Sequence, residues 1–220
     1  MLMFDLHCHS LFSDGELLPS ELVRRAEAMG YKAVAITDHA DSSNLEHILL
    51  NIRRAADDIN KYSQTRLIPG IELTHVHPRL IDDLAKKARG FGAKIVVCHG
   101  ETIVEPVYPG TNHAALKADI DILAHPGFIT PDDVKLAAGR GIMLELSGRK
   151  GHSLTNGHVA RLAMKHGAHL VVNSDGHAPS DFMTAEMARK IAMGAGLSEE
   201  EAEDVFNETW RLISAIDLQS

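Results

Sequence analysis

The chain has 220 residues, 22 Lys+Arg against 30 Asp+Glu and a formal charge of −8, enough chain for one α/β domain with a real core. Hydrophobic content of 45% and charged content of 24% exclude a disordered chain. The acidic balance disfavours binding by phosphate neutralisation, and no uncharged apolar run approaches the roughly 18 residues of a membrane span.

Short apolar runs and helical stretches then alternate along the chain. The first β-like run, 3–7, leads into His7-Cys8-His9 and the turn Ser13-Asp14-Gly15. A helix is predicted over 19–30, with Pro19 in the first turn, Ser20 as N-cap and Gly30 as its stop. Run 33–37 closes on Thr37-Asp38-His39, where Asp38 is a candidate to orient a histidine. A helix over 44–62 precedes run 67–73, which carries Glu72, and a helix over 79–89 precedes run 94–98, which stops at His99-Gly100. After a helix over 112–118, run 121–124 stops at His125-Pro126-Gly127, and Pro131 opens the helix 131–138. Run 141–146 contains Glu145 and leads to the Gly-rich loop 147–157 with Arg149 and Lys150. A helix over 154–166, run 169–173, the sequence Asp175-Gly176-His177, a helix over 181–193 and one or two closing helices in 198–216 complete the chain.

Seven such βα units suit a parallel barrel or a doubly wound sheet. Polar residues recur where the runs end, and a barrel gathers strand ends at one mouth, whereas an open sheet spreads them along a line. The expectation is therefore an α/β fold, a distorted seven-stranded (β/α)7 TIM-like barrel, in a single domain over 1–220. His7 and His9 are an i, i+2 pair, so both imidazoles face one side. An unpaired carboxylate at Glu72 is costly in its apolar run, and its two oxygens can bridge two cations. Eight or nine oxygen and nitrogen ligands exceed one tetrahedral ion and suit two or three divalent ions, with Zn, Mn and Fe equally compatible.

The ordered motifs DLHCHSxxSDG, ITDH, GIEL, CHG, AHPG, LEL and NSDGH, from Asp5 to His177, resemble the polymerase and histidinol phosphatase (PHP) family. The resemblance implies a seven-stranded metal barrel that cleaves phosphoesters. It implies one ion held by His7, His9, Glu72 and Asp175. Glu72 would bridge to a second ion on His99 and His125, and Asp14, His39 and His177 would hold a third. Some phosphatase members have a histidine near the position of Asp14.

The expected activity is metal-dependent hydrolysis of a small phosphomonoester, with L-histidinol phosphate as lead, by water that the ions activate. Asp175 and His177 are candidates for proton transfer, Arg149 for charge neutralisation, and Arg149, Lys150 and His75 for substrate contact. The alternatives are a nucleotide or oligonucleotide phosphoesterase, an amidohydrolase-like metal hydrolase and a non-catalytic metal-binding regulatory domain. Only 25 residues separate His99 from His125, which leaves no room for the inserted domain that some nucleotide-cleaving members of the resembled family carry. The expected partner is a small phosphorylated molecule, without a membrane or an extended nucleic acid. Cys8 and Cys98 read as buried strand residues, and they and the N-terminus, which lacks a secretory pattern, fit a reducing cytoplasm. His47, His158, His166 and His169 read as surface or packing residues. Glu145 reads first as a buried structural partner, and His77, His113 and His152 are open.

Overall fold

Every strand pairing among the described residues is parallel. The structure, a computed structural model, describes residues 3–217. Its strands are β1 (Met3–Cys8), β2 (Tyr31–Ile36), β3 (His39–Ala40), β4 (Arg66–Leu73), β5 (Ile95–His99), β6 (Ile122–Ala124), β7 (Met143–Ser147) and β8 (Leu170–Asn173). The hydrogen-bonded order is β1-β2-β4-β5-β6-β7-β8, with β3 also on β4. The extra strand is a continuation: Ile36 lies opposite Pro69 and His39 opposite Glu72, the same register on either side of Thr37-Asp38. β2 and β3 thus act as one interrupted strand, and the seven-stranded barrel expected from the sequence is present.

The seam between β8 and β1 is closed just beyond the strands. Cys8 bridges Gly176 in parallel register, and His9 N donates to Gly176 O at 2.8 Å. Below this bridge, side chains replace the ladder: Leu6 N donates to Asn173 Oδ1 at 2.9 Å, and Ser174 N donates to Asp5 Oδ2 at 3.1 Å. Burial pushes the Asp5 carboxyl up to about 6, against its hydrogen bonds from Ser174 and His7.

Helices α1 (Pro19–Ala28), α2 (Leu45–Ile59), α3 (Ile81–Gly90), α4 (Thr111–Ala115), α5 (Pro131–Arg140), α6 (Asn156–His166), α7 (Ala185–Gly194) and α8 (Glu199–Asp217) cover the sheet. On α2 the buried set Leu45, Ile48, Leu49, Ile52 and Ala56 is the apolar stripe of an amphipathic helix. The alternation of β1 sends Phe4 outward, where its ring meets Phe206 of α8 at 6.1 Å, and sends Asp5 and His7 inward. Cys8 and Cys98 are buried free thiols, and burial pushes both up in pKa, which disfavours the thiolate that binds metal. No helix among the described residues is long and apolar enough to cross a membrane.

Two local expectations are corrected. Leu18, not Ser20, occupies the N-cap of α1, because Pro19 and Ser20 both lie inside its first turn. The helix expected from 154 begins as a 3-10 turn, His152–Thr155, with the α-helix starting at Asn156.

The loops after β5 and β6 are locked together. Asn112 Oδ1 accepts from Glu101 N at 2.9 Å, while Asn112 Nδ2 donates to Pro126 O at 2.8 Å. Gly127 sits here at φ +60, and an added Cβ would collide with the Glu101 carbonyl. Gly127→Ala is therefore expected to destabilise the protein by about 2 kcal/mol or more, a Tm fall of about 4–8 °C. Calorimetry checks this; an unchanged Tm would contradict the close approach.

Candidate metal centre

All nine residues singled out as ligands reach one mouth, at the C-terminal ends of the strands. His7 ends the inward row of β1, with its Nε2 3.4 Å from Glu72 Oε1 and 3.8 Å from Asp175 Oδ1. His9 Nε2 lies 3.4 Å from Asp175 Oδ1 and 3.9 Å from Glu72 Oε2. Its ring is sandwiched between His39 and His177, at centroid distances of 4.1 and 4.0 Å. His125 Nε2 is 3.7 Å from both Glu72 Oε1 and Asp175 Oδ2. Asp14 Oδ1 faces His39 Nε2 at 3.4 Å and His177 Nε2 at 3.2 Å. Ligand atoms fall into compact groups that include His9/Asp14/His39/His177, His7/His9/Asp175 and Glu72/His99/His125. These groups overlap the three sets implied by the family resemblance, with His9 also grouped with Asp14, His39 and His177 and with Glu72 outside the group of His7, His9 and Asp175.

Neighbouring groups aim these side chains. Glu145 stands behind His7, with Oε1 2.8 Å from His7 Nδ1, and its Oε2 accepts from His125 N at 3.1 Å. The expected role of Glu145 as a buried partner thus matches its contacts. Glu72 Oε2 lies 2.6 Å from His39 Nδ1, which leaves His39 Nε2 toward Asp14. Asp38 orients no histidine: it accepts from Ser10 N, Ser10 Oγ and Ser13 Oγ, each at 2.7 Å. It therefore fixes the turn that carries Asp14, because three donors on that loop satisfy its buried charge.

Burial and mutual charge dominate the electrostatics of these groups. Burial and the neighbouring His39 and His7 hold His9 well below its ordinary pKa, and burial with His99 does the same to His125. His7 moves the other way: burial opposes its charge, but the carboxylates of Glu145, Asp175 and Glu72 outweigh it. Burial also opposes ionisation of Glu72, yet His7 and His39 hold its pKa well below the usual carboxylate range. Burial pushes Asp175 up to about 7, against the charge of His7 and with that of Glu72.

Buried His7 Nε2, His9 Nε2 and Glu72 Oε1 have no hydrogen-bond partner. Leaving such atoms unsatisfied costs roughly 1–3 kcal/mol each. Here they point toward one another within a set of imidazoles and carboxylates, the donor chemistry of Zn, Mn and Fe. The residues fit divalent ions.

The remaining expectations divide. Arg149 lies at the mouth, its Nη1 donating to Asp175 O at 3.1 Å and lying 2.7 Å from His177 Nδ1. Lys150 is exposed on the adjoining groove. His75 is at the rim, its Nε2 3.2 Å from Glu105 Oε2. His152 belongs to the site: it is buried, stacked on His125 at 4.0 Å, with Nε2 3.9 Å from Asp175 Oδ2. His77 accepts from Arg79 N in a 3-10 turn, and His113 pairs with Asp133 at 2.7 Å outside the cluster. His47, His158 and His169 contact Asn51, Ile129 and Glu208 respectively, as surface and packing residues do. Sequence reasoning misses Glu105, whose signal is slight: a lone acid in the apolar loop TIVEPVY between two ligand motifs.

The comparisons with known proteins agree with this geometry. The PHP domain model matches residues 5–178. An uncharacterized protein of Methanocaldococcus jannaschii is 46% identical over 205 residues, which is 92% of this chain and 94% of that protein. The 5'-3' exoribonuclease Rnm of Salmonella typhimurium is 30% identical over 149 residues, 59% of this chain but only 45% of its own length. A histidinol phosphate phosphatase from Lactococcus lactis, crystallised with zinc, L-histidinol and phosphate, shares the fold. Its TM-score is 0.60 at 16% identity, covering 89% of this chain and 94% of that one. By its matched motifs and its barrel, this chain belongs to the PHP domain family of metal-dependent hydrolases.

Proposed function

We propose that the protein is a metal-dependent phosphoesterase that hydrolyses a small phosphomonoester at the strand-end mouth. The observation that carries this reading is the convergence of orphaned His7 Nε2, His9 Nε2 and Glu72 Oε1 beside the Arg149 guanidinium. The ligand sets are His7/His9/Glu72/Asp175, Glu72/His99/His125 and Asp14/His39/His177. Bound divalent ions would supply Lewis-acid polarisation of phosphoryl oxygens and a lowered pKa for water.

The chain's own groups do the rest. Arg149 offers a fork of donors to two non-bridging phosphoryl oxygens, and its bond to Asp175 O holds that fork at the mouth. Asp175 Oδ2, 3.9 Å from Arg149 Nε, is placed to take a proton from the attacking water and return it to the leaving oxygen, whereas His177 Nε2, turned to Asp14 at 3.2 Å, serves as a ligand atom. Beside Arg149 opens a groove of about 640 Å³, lined among others by Lys150, Asp181, Phe182, Met183 and Met187. It offers an apolar wall and a charged lip to the leaving group. A small organic phosphate such as L-histidinol phosphate fits this combination, and the zinc, L-histidinol and phosphate of the Lactococcus structure support that choice.

A second reading, hydrolysis at a nucleotide or oligoribonucleotide end, is favoured by the likeness to exoribonuclease Rnm. Metal analysis coupled to a phosphate-release screen separates the two. Release from histidinol phosphate or sugar phosphates supports the first, and release confined to oligoribonucleotide ends overturns it. No turnover with Zn²⁺, Mn²⁺ or Fe²⁺ on any substrate removes both. Within the first reading, Arg149→Ala is expected to lower kcat/KM about tenfold or more, since a hydrogen bond to a charged group contributes about 1.5–3 kcal/mol. Its metal content should match that of the unaltered protein. Unchanged kcat/KM would take Arg149 out of the substrate site.

A further inference from the structure

The loop after β5 carries an acid into the mouth. It is tied down at both ends: Thr102 N donates to Gly100 O at 2.8 Å, and Asn112 N donates to Glu101 Oε1 at 2.9 Å. Between these anchors Glu105 turns inward, with Oε2 3.0 Å from His99 Nε2 and 3.2 Å from His75 Nε2. Its other oxygen lies 3.3 Å from His152 Nε2.

The tautomer of His99 gives this contact its meaning. His99 Nδ1 sits 3.0 Å from the carbonyl of Gly100, which can only accept. Nδ1 therefore carries a ring proton, and Nε2 is the ring atom that faces the carboxylate oxygen. Without metal a second ring proton on Nε2 can join the pair at 3.0 Å; once that proton leaves, a cation beside both atoms takes its place. A cation with bonds of about 2.0–2.2 Å to both atoms would set them about 3.3–3.5 Å apart in a tetrahedral shell. The observed separation is within a few tenths of an ångström of that edge.

A second observation is independent of these distances. Among the described residues, non-glycine positive φ occurs only at His75, His125 and Asp175. Such conformations cost free energy and persist where the site requires them. His125 and Asp175 belong to the nine ligand positions. His75, at φ +52, does not; what its backbone achieves is to aim Nε2 at Glu105 and to set its ring 4.9 Å from that of His99.

We propose that Glu105 is a further protein ligand to the ion held by His99 and His125, and that His75 is the positioning residue that holds its carboxylate there. This rests on the metal-centre reading above. It gives that ion a fourth protein ligand, after Glu72, His99 and His125, which equals the number around the ion on His7, His9, Glu72 and Asp175.

The test is metal stoichiometry of the full chain, stripped by chelator, reloaded with Zn²⁺ or Co²⁺ and dialysed, for the unaltered protein, Glu105→Gln, Glu105→Ala and His75→Ala. Both Glu105 variants are expected to lose one ion, or to bind it at least tenfold more weakly, and to change the visible Co²⁺ absorption. His75→Ala should weaken the same ion by a smaller factor. Equal melting of the metal-free forms assigns the loss to a ligand, and Glu105, 36% exposed, has no core role to confuse it. If both Glu105 variants keep every ion within twofold and the same Co²⁺ spectrum, the assignment is overturned while the metal centre stands. An unaltered protein that binds no ion overturns both.

Discussion

Glu72→Gln is expected to strip at least one ion from the protein and to lower phosphate release by more than about 10²-fold. Replacing a residue that merely orients a ligand already costs 10–100-fold, and Glu72 is more central than that. Its two oxygens face four rings: Oε1 lies 3.4 Å from His7 and 3.7 Å from His125, and Oε2 lies 2.6 Å from His39 and 3.9 Å from His9. Glutamine keeps the shape but removes the negative charge, and turns one of these oxygens into an amide donor aimed at ring nitrogens that should hold metal. Because shape is kept, circular dichroism of the metal-free variant should match the parent. Metal analysis and turnover are measured on the same preparation. Full metal content with full turnover would mean that Glu72 bridges nothing.

The position of Glu72 is legible in the chain's own pattern, for a simple reason. A carboxylate inside the apolar run LIPGIELT has to be compensated, and a strand end in a parallel barrel can point only to the shared mouth. The same logic places His7, His9, His39, His99, His125, Asp175 and His177, whose positions follow from strand parity and from where runs stop. Loop residues obey no such period. Asp38 resembles a histidine partner from adjacency alone, but its carboxylate turns to Ser10 and Ser13 because the chain folds back there. His152 and Glu105 reach the site only through the paths of two long loops, which touch where Val104 packs at 3.3 Å from the Cβ position of Gly151. Nothing in their local sequence encodes that encounter. Likewise β3 is hidden because a two-residue continuation of β2 has no hydrophobic pattern of its own.

Glu145→Ala is expected to cost about 3 kcal/mol or more of stability in the metal-free protein, a large share of the 5–15 kcal/mol typical of a whole domain. The carboxylate is fully buried and serves three groups. Oε1 accepts from Asn173 Nδ2 at 2.8 Å and lies 2.8 Å from His7 Nδ1, and Oε2 accepts from the His125 backbone N–H at 3.1 Å. Alanine leaves all three groups buried without a partner, at roughly 1–3 kcal/mol each, and opens a cavity between β1, β6 and β8. Glu145→Gln is the sharper instrument. Its amide can still accept through one oxygen, but its NH2 then opposes the His125 N–H, so a smaller loss of about 1–3 kcal/mol is expected. Metal affinity should fall 10–100-fold, because the carboxylate holds a proton on His7 Nδ1 and so turns Nε2 toward Glu72 and Asp175 as the ligand atom. Denaturant unfolding of the stripped protein measures the first effect and metal titration the second. The two need not run together: a packing role alone would lower stability in both variants and leave metal affinity at the parent value. That outcome would remove Glu145 as the group that sets the ring of His7, whereas weakened metal binding in a folded Glu145→Gln protein would establish it.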